Sequence, residues 1–202
     1  MKTLKMKIVS FLSILLFLFS CQPEGAEYYE DLDLVYTNYD DEFNFSNKGT
    51  YSIPDRIVKI EGELGDGQLP EFVKEPFATQ MLQQMESNMS ALGWTKVEDP
   101  VNADVALFPA VWTNTSYYYW YNYWCWYYPY YCGWGWYYPP VVSSVTTGTL
   151  VMTMVADGDE YVEPHQVWTG LGNGVVSGAY NTTRVTKAID QAFEQSPYLQ
   201  VN

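Results

Sequence analysis

Between Asp104 and Asp157 the chain runs for 52 residues, Val105 to Ala156, without one charged side chain. The block is longer than the roughly 20 apolar residues of a membrane-spanning helix. Pro129, Gly133, Gly135 and Pro139-Pro140 interrupt it, however, and a helix there would carry a long series of Tyr hydroxyls into lipid. Its composition divides it into three. "ADVALFPAVW" opens it with a strand pattern, and "TTGTLVMTMVAD" closes it with a second, in which Leu150, Met152 and Met154 alternate with Thr149, Val151 and Thr153. In the centre, 16 of the 22 positions from Tyr117 to Tyr138 are Tyr or Trp. The block therefore reads as two strands flanking an aromatic insert, 114–141.

The other elements follow from periodicity. "EPHQVWTGLGNG" is a hairpin partner for Thr149–Ala156, with "DGDE" at the turn. Near the start, Leu32, Leu34 and Tyr36 alternate with Asp31, Asp33 and Thr37, which predicts a half-buried strand with the first three inward. Phe43 and Phe45 alternate after the acidic turn Asp40-Asp41-Glu42, and "TYSIPD" is a run that Pro54 ends. Pro109 predicts an edge or a bulge within its strand. Two helices are written at 3.6-residue spacing. Ala78, Met81, Leu82, Met85, Met89 and Leu92 share a face between Pro76 and Gly93, the Met residues being core packing rather than metal ligands. Val185, Ala188, Ile189, Ala192 and Phe193 share a face after Asn181 or Thr182, which cap it. The sum is an α+β domain: a mostly antiparallel sheet of about five or six strands, covered on one face by two amphipathic helices, with the Tyr/Trp-rich loop inserted.

The N-terminus carries an address. Lys2, Lys5 and Lys7 form a basic n-region, Ile8 to Phe19 is an apolar run too short to span a bilayer, and Leu18-Phe19-Ser20-Cys21 follows. A small residue before a cysteine, with Leu at the third position before it, has the pattern of a bacterial lipoprotein signal. The expectation is a signal peptide over 1–20, lipidation of Cys21 as the first mature residue, a polar tether over 21–29 and one domain over 30–202. Acyl chains contribute ~0.8 kcal/mol per buried methylene, so several of them anchor stably. Gln22, in place of Asp, directs such a protein to the outer membrane by the usual sorting rule.

After removal of 1–20 the chain keeps 7 Lys and Arg against 24 Asp and Glu, a formal charge of −17. That balance excludes nucleic acid as a partner, since its binding rests on neutralising phosphates, and electrostatic docking on anionic lipid. With Cys21 lipidated, Cys125 and Cys132 remain as a pair with six residues between them in an oxidising compartment, which predicts a disulfide. A metal site would need two further ligands, and His165 is the only histidine in the chain. No metal and no cofactor is expected.

The residues that could carry catalysis all have plainer structural roles. His165, between Pro164 and Gln166, reads as a surface or strand residue rather than a base. "GLGNG" at 170–174 precedes Val175-Val176 and not a helix start, so it reads as a turn or bulge and not a phosphate loop. The acidic clusters at Glu30-Asp31-Asp33, Asp40-Asp41-Glu42 and Asp157-Asp159-Glu160 read as solvated turns. Two of these acids facing each other in a cleft would instead make a carboxylate-dependent hydrolase of envelope glycans. No catalytic residue is assigned.

The lipobox cysteine, "DLVYTNYD", "FNF", "TYSIPD", the aromatic insert, "TTGTLVMTMVAD", "VWTGLGNG" and the closing "AIDQAFEQSPYL" together resemble the domain-of-unknown-function 4136 family of bacterial lipoproteins. The strand ending in Asp157, the Trp168-Thr169-Gly170 segment and Phe193 to Tyr198 are its most specific parts. Thr169 departs from the pattern, standing where many relatives carry a basic residue. The resemblance implies an envelope lipoprotein with an α/β sandwich and brings no catalytic residues with it.

Function then rests on the insert. Tyr and Trp suit places with one wet side and one apolar side. Trp120, Trp124, Trp126, Trp134 and Trp136 are the expected contact residues, presented by a non-enzymatic, lipid-anchored protein to a glycan, a protein partner or the membrane surface. A self-packed hairpin with aromatic cross-strand pairs is the structural alternative.

Overall fold

The uncharged run LVYTNY, set between two acidic segments, forms the first strand, β1 (Leu34–Tyr39). The computed structural model describes residues 34–62, 68–113, 148–156, 165–177 and 181–201. Among these, β2 (Thr50–Ser52), β3 (Val58–Ile60), β4 (Glu71–Phe72), α1 (Phe77–Ala91), β5 (Thr95–Lys96), β6 (Val105–Trp112), β7 (Thr149–Ala156), β8 (His165–Asn173) and α2 (Thr182–Glu194) follow in order. The sheet runs β1-β8-β7-β6-β2-β5, with β3 pairing β6 further along and carrying β4. From β1 to β6 the pairs are antiparallel; β2 and β3 join β6 in parallel. The class is the α+β one expected, with more strands than five or six. The extra ones, such as β4 and β5, are two residues long, too short to show a period.

Both helices lie on one face of the sheet. α1 buries Phe77, Ala78, Met81, Leu82, Met85 and Met89, and α2 buries Val185, Ala188, Ile189, Ala192 and Phe193. They meet Leu107, Val111, Leu150, Met152, Met154 and Trp168 in one core. Asp190 ties the helices together by accepting from Gln84 Nε2 at 2.6 Å and Asn88 Nδ2 at 2.8 Å. Trp168 is the central piece. Its ring lies 5.3 Å from that of Phe193, and its Nε1 donates to Ser196 Oγ at 2.9 Å, so the buried indole N–H is satisfied. A β-carbon at Gly170 would stand 2.6 Å from this indole. Gly170 therefore lies inside β8, where the ring needs the space, and only Gly174, at φ 75°, sits in a turn. The reading of "GLGNG" as a turn or bulge holds for its end and not for its start.

Two local expectations change. Phe43 and Phe45 do not alternate along a strand: residues Phe45–Asn47 form a 3₁₀ turn capped by Asn44 Oδ1, and both rings are buried edge to face at 4.7 Å. Pro109 is neither at an edge nor in a bulge. It pairs with Met152 inside the sheet, and on its other side pairing lapses between Ala106, opposite Ser52, and Ala110, opposite Val58. A residue without an N–H sits at low cost where a ladder is already broken. Every residue of β6 and β7 is buried, on both faces of the two strands.

Candidate functional site

The strands align so that the two ends of the sheet have different characters. At one end lie the start of β1, the end of β8, the start of β7 and the end of β6, since Leu34 pairs with Asn173, Leu150 with Gly172 and Thr149 with Trp112. The aromatic insert leaves and returns here. Its stem is closed by Gly148 N donating to Trp112 O at 2.8 Å, and Thr113 N donates to Ile60 O at 3.1 Å. Val176 N donates to Gly148 O at 2.8 Å, and Thr149 Oγ1 donates to Asn173 Oδ1 at 2.9 Å. Gly148 has φ 82°, and a β-carbon there would stand 2.6 Å from Ser177 N. The turn after β8 is thus folded down onto the stem, at a spacing that only glycine permits. Cys21, Cys125, Cys132, Trp120, Trp124, Trp126, Trp134 and Trp136 lie outside the described residues, as does the "DGDE" turn.

At the opposite end carboxylates do the tying. Asp40 follows β1: its N donates to Val167 O at 2.9 Å, and its Oδ2 lies 2.8 Å from His165 Nε2. These residues line a cleft of about 240 Å³ with Asn38, Tyr39, Gln166 and Trp168. The His–Asp pair supplies two of the three members of a nucleophilic triad, but no Ser, Thr or Cys lines this cleft among the described residues. Asp104, just before β6, accepts from Gly49 N at 2.9 Å and from Thr50 N and Oγ1 at 2.8 Å each. Partial burial alone would raise its pKa; these bonds, with Lys48 nearby, outweigh it and hold the carboxyl below its ordinary 3.8. Such a group is an ionised clamp, unfit for general acid work.

Other titratable groups are similarly engaged. Glu61 and Glu71 converge on Lys59 Nζ at 2.8 and 3.1 Å, but on an exposed surface and around a cation, unlike a glycosidase pair. Burial, reinforced by the Glu86 carboxylate, pushes the Tyr51 hydroxyl up to about 12 and keeps it neutral.

The structure also shows an exposed surface that the periodicity misassigned. In register with β8, Val35 packs toward the helices, while Leu34 and Tyr36 face the other way and are 67% and 51% exposed. The alternation was legible; which face is inward was not. That depended on β8, because an edge strand is covered only where a neighbouring layer reaches it.

These features define an α+β domain in which two helices cover one face of an open, mostly antiparallel sheet and a long aromatic insert grows from one sheet end. The chain belongs to the family described as Domain of unknown function (DUF4136), whose profile matches residues 35–198. It is similar to a DUF4136 family protein from Bacteroides thetaiotaomicron VPI-5482, known from a crystal structure at 1.60 Å. The two are 32% identical with a TM-score of 0.63, over 83% of this chain and 97% of that one. The dodecameric PelC of Paraburkholderia phytofirmans is more distant, at 11% identity and a TM-score of 0.42 over 84% of this chain and 99% of its own. No curated protein matches the sequence.

Proposed function

We propose that this protein is a non-enzymatic lipoprotein of the bacterial cell envelope, anchored through Cys21 in the outer membrane, whose aromatic insert rests on the surface of that membrane. The observation that carries the reading is connectivity. Cys21 and Leu34 are thirteen residues apart, so the start of β1 lies within ~45 Å of the anchored lipid. The stem of the insert opens at the same sheet end, two strand positions away at Gly148 before β7 and three at Trp112 of β6, roughly 10 to 15 Å across the ladder. An insert of Tyr and Trp without charge, rooted at the sheet end where β1 begins, suits the bilayer interface, where aromatic residues concentrate. A formal charge of −17 leaves aromatic insertion, not charge attraction, as the means of contact.

The test uses the mature chain with Cys21→Ser and no lipid, and a partner version lacking 117–138. Flotation with zwitterionic phosphatidylcholine vesicles should carry the intact chain upward with a blue shift of its Trp fluorescence, and the shortened chain should stay behind. Failure to float, with loop-dependent retention on a glycan panel or an envelope protein, would transfer the insert to that ligand. In cells, Cys21→Ser should move the protein from the membrane to the soluble fraction.

A further inference from the structure

Three strands form the outer limits of the described sheet, and they are built differently. β4 and β5 are two residues each, and each carries a paired charge: Glu71 to Lys59 at 3.1 Å and Lys96 to Glu86 at 2.8 Å. Brevity and charge are the devices by which edge strands resist pairing with another chain. β1 has neither. It is six residues long, holds no charge and no proline, and its register with β8 runs without a shift from Leu34 to Tyr39.

The backbone of β1 is therefore a regular template. Asp40 N donates to Val167 O, so along the antiparallel pair Leu34, Tyr36 and Asn38 also bond toward β8. The alternation turns the N–H and C=O of Val35, Thr37 and Tyr39 the other way, outward from the sheet. An added strand would meet Leu34 and Tyr36 on the face away from the helices and Tyr39 on the other, where its ring stacks on Tyr198 at 3.8 Å. Three of the five large apolar side chains that stand exposed among the described residues belong to this strand.

Charge selects the occupant. Glu30, Asp31 and Asp33 precede the strand, and Asp40, Asp41 and Glu42 follow it, the last two exposed. A second copy pairing with β1 would lay acids against acids at both ends, in either direction. We infer that β1 is a strand-addition site for an extended segment of a partner protein that carries Lys or Arg on both sides of an alternating apolar core. Main-chain bonds supply the affinity of such a complex, and its side chains and flanks supply specificity.

The test is a titration of the full mature chain with a fluorescent peptide KRVTVTVKR, beside EEVTVTVEE, at low and high salt. The basic peptide should bind saturably and more weakly as salt rises, and the acidic one at least about tenfold more weakly. Thr37→Pro, which removes an outward N–H, and Tyr36→Lys, which sets a cation against the apolar core of the added strand, should each reduce binding of the basic peptide by a similar factor. Circular dichroism checks the fold. If Thr37→Pro does not fold, Tyr36→Lys decides, because that side chain is half exposed. Equal binding of the two peptides, or full binding by Tyr36→Lys, overturns the inference. So does self-association that Thr37→Pro abolishes, which would give the edge to a second copy. Deleting 117–138 should leave peptide binding unchanged, so this result stands or falls apart from that of the insert.

Discussion

The two ends of the β6–β7–β8–β1 ladder solve the same problem, holding strand termini in place, with opposite chemistry. At the stem end the contacts are neutral: Gly148 N to Trp112 O, Val176 N to Gly148 O, Thr149 Oγ1 to Asn173 Oδ1. At the other end a carboxylate stands at each key junction, with Asp104 clamping Gly49 and Thr50 and Asp40 beside His165. The difference teaches that the insert's stem is held by backbone and neutral side-chain bonds, while at the opposite end this acidic chain uses two of its carboxylates as fasteners.

The largest effect should come from breaking the neutral end. Gly148→Ala forces a β-carbon against the backbone of Ser177 at a positive φ, and should destabilise the fold by about 3 kcal/mol, read by chemical denaturation. Independence from pH between 4 and 8 would confirm that this end is held without charge. Next is the clamp: Asp104→Asn should cost about 2 kcal/mol at pH 7, by weakening three bonds to a charged acceptor. Folding lowers the Asp104 pKa, so its contribution is complete above the ordinary carboxylate range and disappears as pH falls through the lowered value. The stability difference between wild type and Asp104→Asn should therefore shrink in acid; a constant difference would mean the carboxylate is not held as described. The smallest effect belongs to His165→Ala. Its hydrogen bond with Asp40 is partly exposed, and the loss should stay within about 1 kcal/mol, read by chemical denaturation.

Much of the fold was legible in particular residues. The Met and Ala spacing of α1, the Val185 to Phe193 face of α2 and the hairpin of β7 and β8 all carry a period strong enough to read. Pro109 misled because a proline in a strand signals an absent ladder bond, and the absence here comes from the gap between β2 and β3, segments about fifty residues earlier in the chain. Leu34 and Tyr36 misled because alternation names two faces without saying which one a helix will cover. The site is a similar mixture. The insert was evident from composition alone, whereas its stem, the Asp104 clamp and the Asp40–His165 pair join residues 24 to 125 positions apart. No local pattern records such distances.

The sequence by itself determined the helices, the long strands, the α+β class and the confinement of charge outside Val105 to Ala156, because periodicity and composition act within a few residues of themselves. Only the tertiary structure decided that β1 closes the sheet with its apolar pair outward, that β6 lies at the junction of antiparallel and parallel pairing, and that the start of β1 and the stem of the insert share one end. Those outcomes depend on strand order and register, which arise when distant segments meet and the burial of one face outweighs every alternative pairing.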